Sequence, residues 1–177
     1  MNRDFLASIE HQPFYALIAR KYKGKVARRS GVPYLNHIRE GALILHLLFP
    51  GDEETIEAYC LHPLFQSDRA LAQLLAEGQA ELMSLSPRVI VLAMEYRRVA
   101  NAYSITHKVR RAEDTELGPL EAVRRMLIAD KIQNKKDFLK HINGKYQRSS
   151  YARTCERSLR YCSNLVVERD GSSGVRG

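Results

Sequence analysis

Glu54–His62, ETIEAYCLH, followed at once by Pro63-Leu64-Phe65, is the stretch on which the reading of this chain turns. Asp52, Glu53 and Glu54 place negative charge at the start of a helix, where its dipole favours it. The helix is predicted to reach about His62 and to be interrupted by Pro63, which lacks a backbone N–H and clashes with the preceding turn. Helical spacing of apolar residues continues on both sides. Towards the N-terminus, Phe5, Leu6 and Ile9, then Phe14, Leu17, Ile18 and Tyr22, give a helix interrupted by Pro13; a basic loop from Lys23 to Asn36 and a helix from His37 to Leu48, closed by Pro50-Gly51, follow. Towards the C-terminus, Ser67 or Asp68 caps a helix that Gly78 ends, and Pro87 opens another with Val89, Ile90, Leu92, Ala93 and Tyr96 on its apolar side. Tyr103 to Gly118 reads as a polar loop, the helical pattern returns from Pro119 to Leu139, and a last helix covers Arg148 to Glu168. No repeat and no strand alternation interrupts this series. The expectation is an all-α fold, one domain over residues 1–168 and a disordered tail over 169–177.

Composition narrows the function. The chain has 177 residues, 45% of them hydrophobic, enough for a core that folds alone. No apolar run approaches the ~18 residues of a membrane span, and the longest, Gly41–Pro50, contains His46. The opening MNRDFLASIEHQ is not shaped as a signal peptide, so a cytoplasmic protein with no membrane partner is expected. Cys60, Cys155 and Cys162 form no CxxC pair; core packing explains them better than a disulfide framework or a zinc site. A net charge of +8 favours an anionic partner, whether a phosphorylated small molecule, a nucleic acid or an acidic protein.

Three segments carry candidate chemistry: Arg28–His37, RRSGVPYLNH; Glu54–His62, ETIEAYCLH; and Leu127–Leu139, LIADKIQNKKDFL. In order and spacing they resemble the signatures of the HD-domain metal-dependent phosphohydrolases. The particular likeness is to the RelA/SpoT-type hydrolase of guanosine polyphosphates in its small stand-alone form: a basic pair with Ser-Gly-x-Pro-Tyr-x-x-His, an Ala-x-x-x-His-Asp helix end, and Ala-Asp-Lys-x-x-Asn. The resemblance runs from about Tyr15 to Asp137 and implies an HD-domain helical bundle. It also implies that His37, His62 and Asp130 are metal ligands, and that Arg28, Arg29, Ser30 and Asn134 line a nucleotide site. Two imidazoles and a carboxylate suit Mn²⁺ or Fe²⁺, and a guanidinium suits a phosphate or a guanine face. Taken singly, His37 reads as a helix-cap histidine, His62 as a core histidine, Asp130 as an ion-paired carboxylate and Tyr34 as loop packing.

The match breaks at its centre. Where the family has His-Asp, this chain has His62-Pro63, and where a Glu-Asp pair positions the attacking water it has Gln66-Ser67. Neither Gln nor Ser is a carboxylate base. Asp68 fills that catalytic role only if Pro63 shifts the backbone register. The resemblance therefore implies a degenerate member that binds a nucleotide or other phosphorylated ligand, with its divalent metal held weakly or not at all, and without efficient hydrolysis. One alternative is a hydrolase with an altered metal site. Another is an interaction module whose basic stripe, Arg153, Arg157 and Arg160, meets an acidic protein. Nucleic acid is disfavoured, because no binding motif accompanies the charge.

Overall fold

The computed structural model describes residues 2–27, 30–77, 79–104 and 116–142. The described residues form eight α-helices and a terminal π turn: α1 (Asn2–Glu10), α2 (Pro13–Tyr22), α3 (Tyr34–Leu48), α4 (Glu53–Phe65), α5 (Asp68–Glu77), α6 (Gln79–Ser84), α7 (Pro87–Ser104) and α8 (Glu121–Asp137), then Phe138–Ile142. The all-α expectation holds. Arg28, Arg29, Cys155, Cys162, the Arg148–Glu168 helix with its basic stripe, and the 169–177 tail lie outside the described residues, as does most of the polar 103–118 loop.

Helix α4 is the axis of the bundle, packed against α2, α3, α5, α7 and α8. Nine of its residues are buried, from Thr55 to Phe65 and on every side of the helix, as expected for a helix enclosed by others. Its entry is fixed by Asp52, whose side chain accepts from the Thr55 N–H at 3.3 Å and whose carboxylate meets the Arg88 guanidinium at 3.1 Å. That ion pair ties the starts of α4 and α7 together. Cys60 is fully buried, and burial pushes its thiol pKa up, consistent with a packing role.

Two boundaries and one element differ from the sequence reading, and one alternative it left open is settled. α4 does not stop at His62 but runs through Pro63 to Phe65, and Ser67, not Asp68, caps α5 by accepting from the Ala70 N–H at 3.1 Å. α3 begins at Tyr34, so His37 stands inside a helix rather than at its first residue, and α6 was not foreseen. The α2–α3 loop is pinned by an isolated bridge between Val26 and Pro33, with Gly31 at a φ of +70° that favours glycine. At Gly41 the constraint is space: a Cβ there would lie 1.9 Å from the Tyr59 hydroxyl, so glycine lets α3 approach α4.

Candidate metal centre

Three helices converge on one point. His37 comes from the start of α3, His62 from the end of α4 and Asp130 from the middle of α8, and one candidate ligand atom from each lies within 4.8 Å of the other two. His62 and Asp130 are buried and His37 is half-buried. The His37 Nε2 stands 3.3 Å from Asp130 Oδ1, while the Lys131 ammonium holds the other carboxylate oxygen at 2.9 Å.

Each imidazole is held from behind. The His37 Nδ1–H donates to the side-chain oxygen of Gln133, which is completely buried on α8. The His62 Nδ1–H donates to the backbone carbonyl of Tyr59 at 2.5 Å. That carbonyl is available because of Pro63: the N–H that would close the helical bond to Tyr59 is the one proline lacks. The ring of His62 thus satisfies the acceptor that the proline leaves open, and α4 continues. In both histidines Nδ1 is engaged from behind and Nε2 is turned towards the cluster, where that of His37 faces Asp130; a hydrogen bond at the far nitrogen is the arrangement found behind metal-bound imidazoles.

Electrostatics treat the two rings differently. Burial, reinforced by the neighbouring His37, pulls the His62 pKa down to about 4, so this ring is neutral near pH 7. Burial also works against charge on His37, but the hydrogen-bonded Asp130 carboxylate more than offsets it and the net shift is upward. Burial opposes ionisation of Asp130, yet Lys131 and the two histidines hold it far below the ordinary carboxylate range. An ionised carboxylate with two imidazoles is a donor set that fits one divalent transition metal.

The cluster lies in a cavity of about 520 Å³, within the range of small-molecule sites. Ser30 and Asn134 line it, together with Lys131, Tyr22 and Tyr96. So does Tyr34, which is part of α3 rather than packing within a loop. Pro63 and Gln66 face the same space, at the places where the resemblance calls for carboxylates. Asp68 does not: its side chain is 95% exposed and ion-pairs with Arg97. Gln133 escaped the sequence reading, although it follows Asp130 by three residues and so shares its helix face.

A family model described as HD domain matches residues 15–132, about two thirds of the chain. Comparison with curated proteins and with solved structures finds no match. No helix among the described residues is long and apolar enough to cross a membrane. With three helices delivering two histidines and an aspartate to one cavity, and the family model spanning all three, the chain belongs to the HD domain family.

Proposed function

We propose that this protein binds a phosphorylated ligand, a nucleotide of the guanosine polyphosphate kind, in the cavity beside His37, His62 and Asp130, and does not hydrolyse it efficiently. The observation that carries this reading is the state of the cavity's carboxylates. Among the described lining residues there are two, and both are committed. Asp130 is engaged by His37 and Lys131. Asp137 accepts from the Gln133 amide at 2.7 Å and pairs with Lys136 at 3.0 Å. Neither is placed to take a proton from an attacking water, and loss of a general base lowers a rate by about 10²–10⁴.

His37, His62 and Asp130 would hold Mn²⁺ or Fe²⁺, weakly for want of a side-chain donor at position 63. When bound, such an ion supplies charge neutralisation at a phosphate oxygen and a more acidic water. Ser30 and Asn134, with Arg28 and Arg29 by resemblance, would face the nucleotide. Calorimetry with guanosine and adenosine polyphosphates, with and without Mn²⁺, tests the proposal; we expect saturable binding, and none at millimolar ligand would end it.

The preserved ligand cluster favours a second reading, an altered but active phosphohydrolase. Phosphate release from a nucleotide panel that disappears in both His62→Ala and Asp130→Ala would establish it in place of the first.

A further inference from the structure

We infer that Gln133 is a positioning residue that fixes which nitrogen of His37 faces the metal cluster. A side-chain amide has one accepting end and one donating end, and reversing it exchanges them. At Gln133 the orientation is set by what lies beyond it. Its nitrogen donates to Glu40 Oε2 at 3.1 Å and to Asp137 Oδ2 at 2.7 Å. A reversed amide would aim its oxygen at two carboxylates while losing both bonds, in a position with no access to water. The Lys136 ammonium bridges Glu40 and Asp137 and keeps that pair in place.

With the amide oriented in this way, its oxygen must face His37 Nδ1, and two acceptors cannot share a hydrogen bond. Nδ1 of His37 is therefore held as a donor against the competing pull of the Asp130 carboxylate, which lies 3.3 Å from Nε2 and would draw the ring proton to that side, and Nε2 is the nitrogen turned to the cluster. His62 reaches the same state by a separate route, through the Tyr59 carbonyl. Gln133 touches no ligand itself; its effect passes through His37, and the four residues behind it act as one hydrogen-bonded bracket between α3 and α8.

The proposal shares the metal reading above only in its second readout. The first uses the full-length, metal-free protein with isotope-labelled histidine, the ring-nitrogen signals being read on the alkaline plateau where they no longer change with pH. We expect His37 as the Nδ1–H form in the natural sequence and a majority shift to the Nε2–H form in Gln133→Met, with His62 unchanged. Glu40→Gln/Asp137→Asn, which alters neither the imidazole nor its direct partner, is expected to release the amide and mix the two forms of His37; it also serves if Gln133→Met fails to fold. The second readout is calorimetry with Mn²⁺ alone, where Gln133→Met is expected to bind about 10–100-fold more weakly. His37 remaining wholly in the Nδ1–H form in both variants overturns the proposal. Tautomers that shift in a protein that never binds Mn²⁺ support the positioning role and overturn the metal reading instead.

Discussion

The floor of the cavity and its rim tell different stories. On the floor, His37, His62 and Asp130 each have a supporting partner drawn from a different source: a buried glutamine, a freed backbone carbonyl and an adjacent lysine. On the rim, Pro63 and Gln66 bring no carboxylate to the cavity, and the next carboxylate, Asp68, points into solvent and meets Arg97. Holding a cation depends on the floor, whereas turning a phosphate ester over also depends on the rim. On the proposed reading the two capacities would rest on separate residues, so that one could be absent while the other is present.

The most forceful way to break this contrast is to rebuild the rim. Pro63→Asp/Gln66→Glu/Ser67→Asp is expected to raise phosphate release from guanosine polyphosphates with Mn²⁺ by about 10²–10⁴ over the natural chain, measured as inorganic phosphate. A triple variant that binds nucleotide and stays inert would mean that the floor, too, has lost its geometry.

The floor can be sharpened through its pH dependence. His62 has a folded pKa of about 4 against an ordinary value near 6.5, so on acidification the unfolded chain takes up a proton that the folded chain refuses. The contribution to stability is therefore complete above pH ~6.5 and is lost as the pH falls from there towards 4, amounting to a few kcal/mol. His37, shifted upward, acts in the opposite sense and adds stability below its own folded pKa. Denaturant unfolding of His62→Gln should show lower stability at neutral pH but a flatter acid limb than the natural protein. An unchanged acid limb would remove His62 from the account.

A smaller effect is expected behind the floor. Gly41→Ala places a methyl group 1.9 Å from the Tyr59 hydroxyl, and overpacking of this kind costs about 1–3 kcal/mol in thermal or chemical unfolding. Because Tyr59 also supplies the carbonyl that holds His62, weaker Mn²⁺ binding should accompany that loss. The smallest effect is a null. Asp68→Asn should leave Mn²⁺ and nucleotide affinity within about twofold and stability within ~0.5 kcal/mol, as for other exposed positions. A marked loss of either affinity would return Asp68 to the site.

Much of this was legible beforehand, for reasons that are themselves physical. Apolar spacing declares helices because burial follows helix periodicity, and His37, His62 and Asp130 stand on three helices whose packing brings them together. Pro63 was misread because the rule against proline inside a helix treats the orphaned carbonyl as unsatisfied, and the donor that satisfies it is a side chain rather than another backbone group. Gln133 was invisible for a related reason. Its spacing of three from Asp130 places it on the same helix face, but among neighbours such as Lys131, Asn134 and Lys136 that spacing alone does not say that its amide is buried behind His37. The orientation of that amide depends on Glu40, ninety-three positions earlier in the chain. Asp68 would serve only if Pro63 shifted the backbone register; instead α4 continues through Pro63, and capping by Ser67 starts the next helix with Asp68 facing outward.

The bond between the His62 ring and the Tyr59 carbonyl has a consequence for how such motifs are interpreted. Once proline occupies position 63, deleting the neighbouring imidazole would strand a buried main-chain oxygen in the central helix. The histidine then has an architectural duty that persists whether or not any ion visits. A histidine beside a proline in a central helix can therefore be required for the main chain alone.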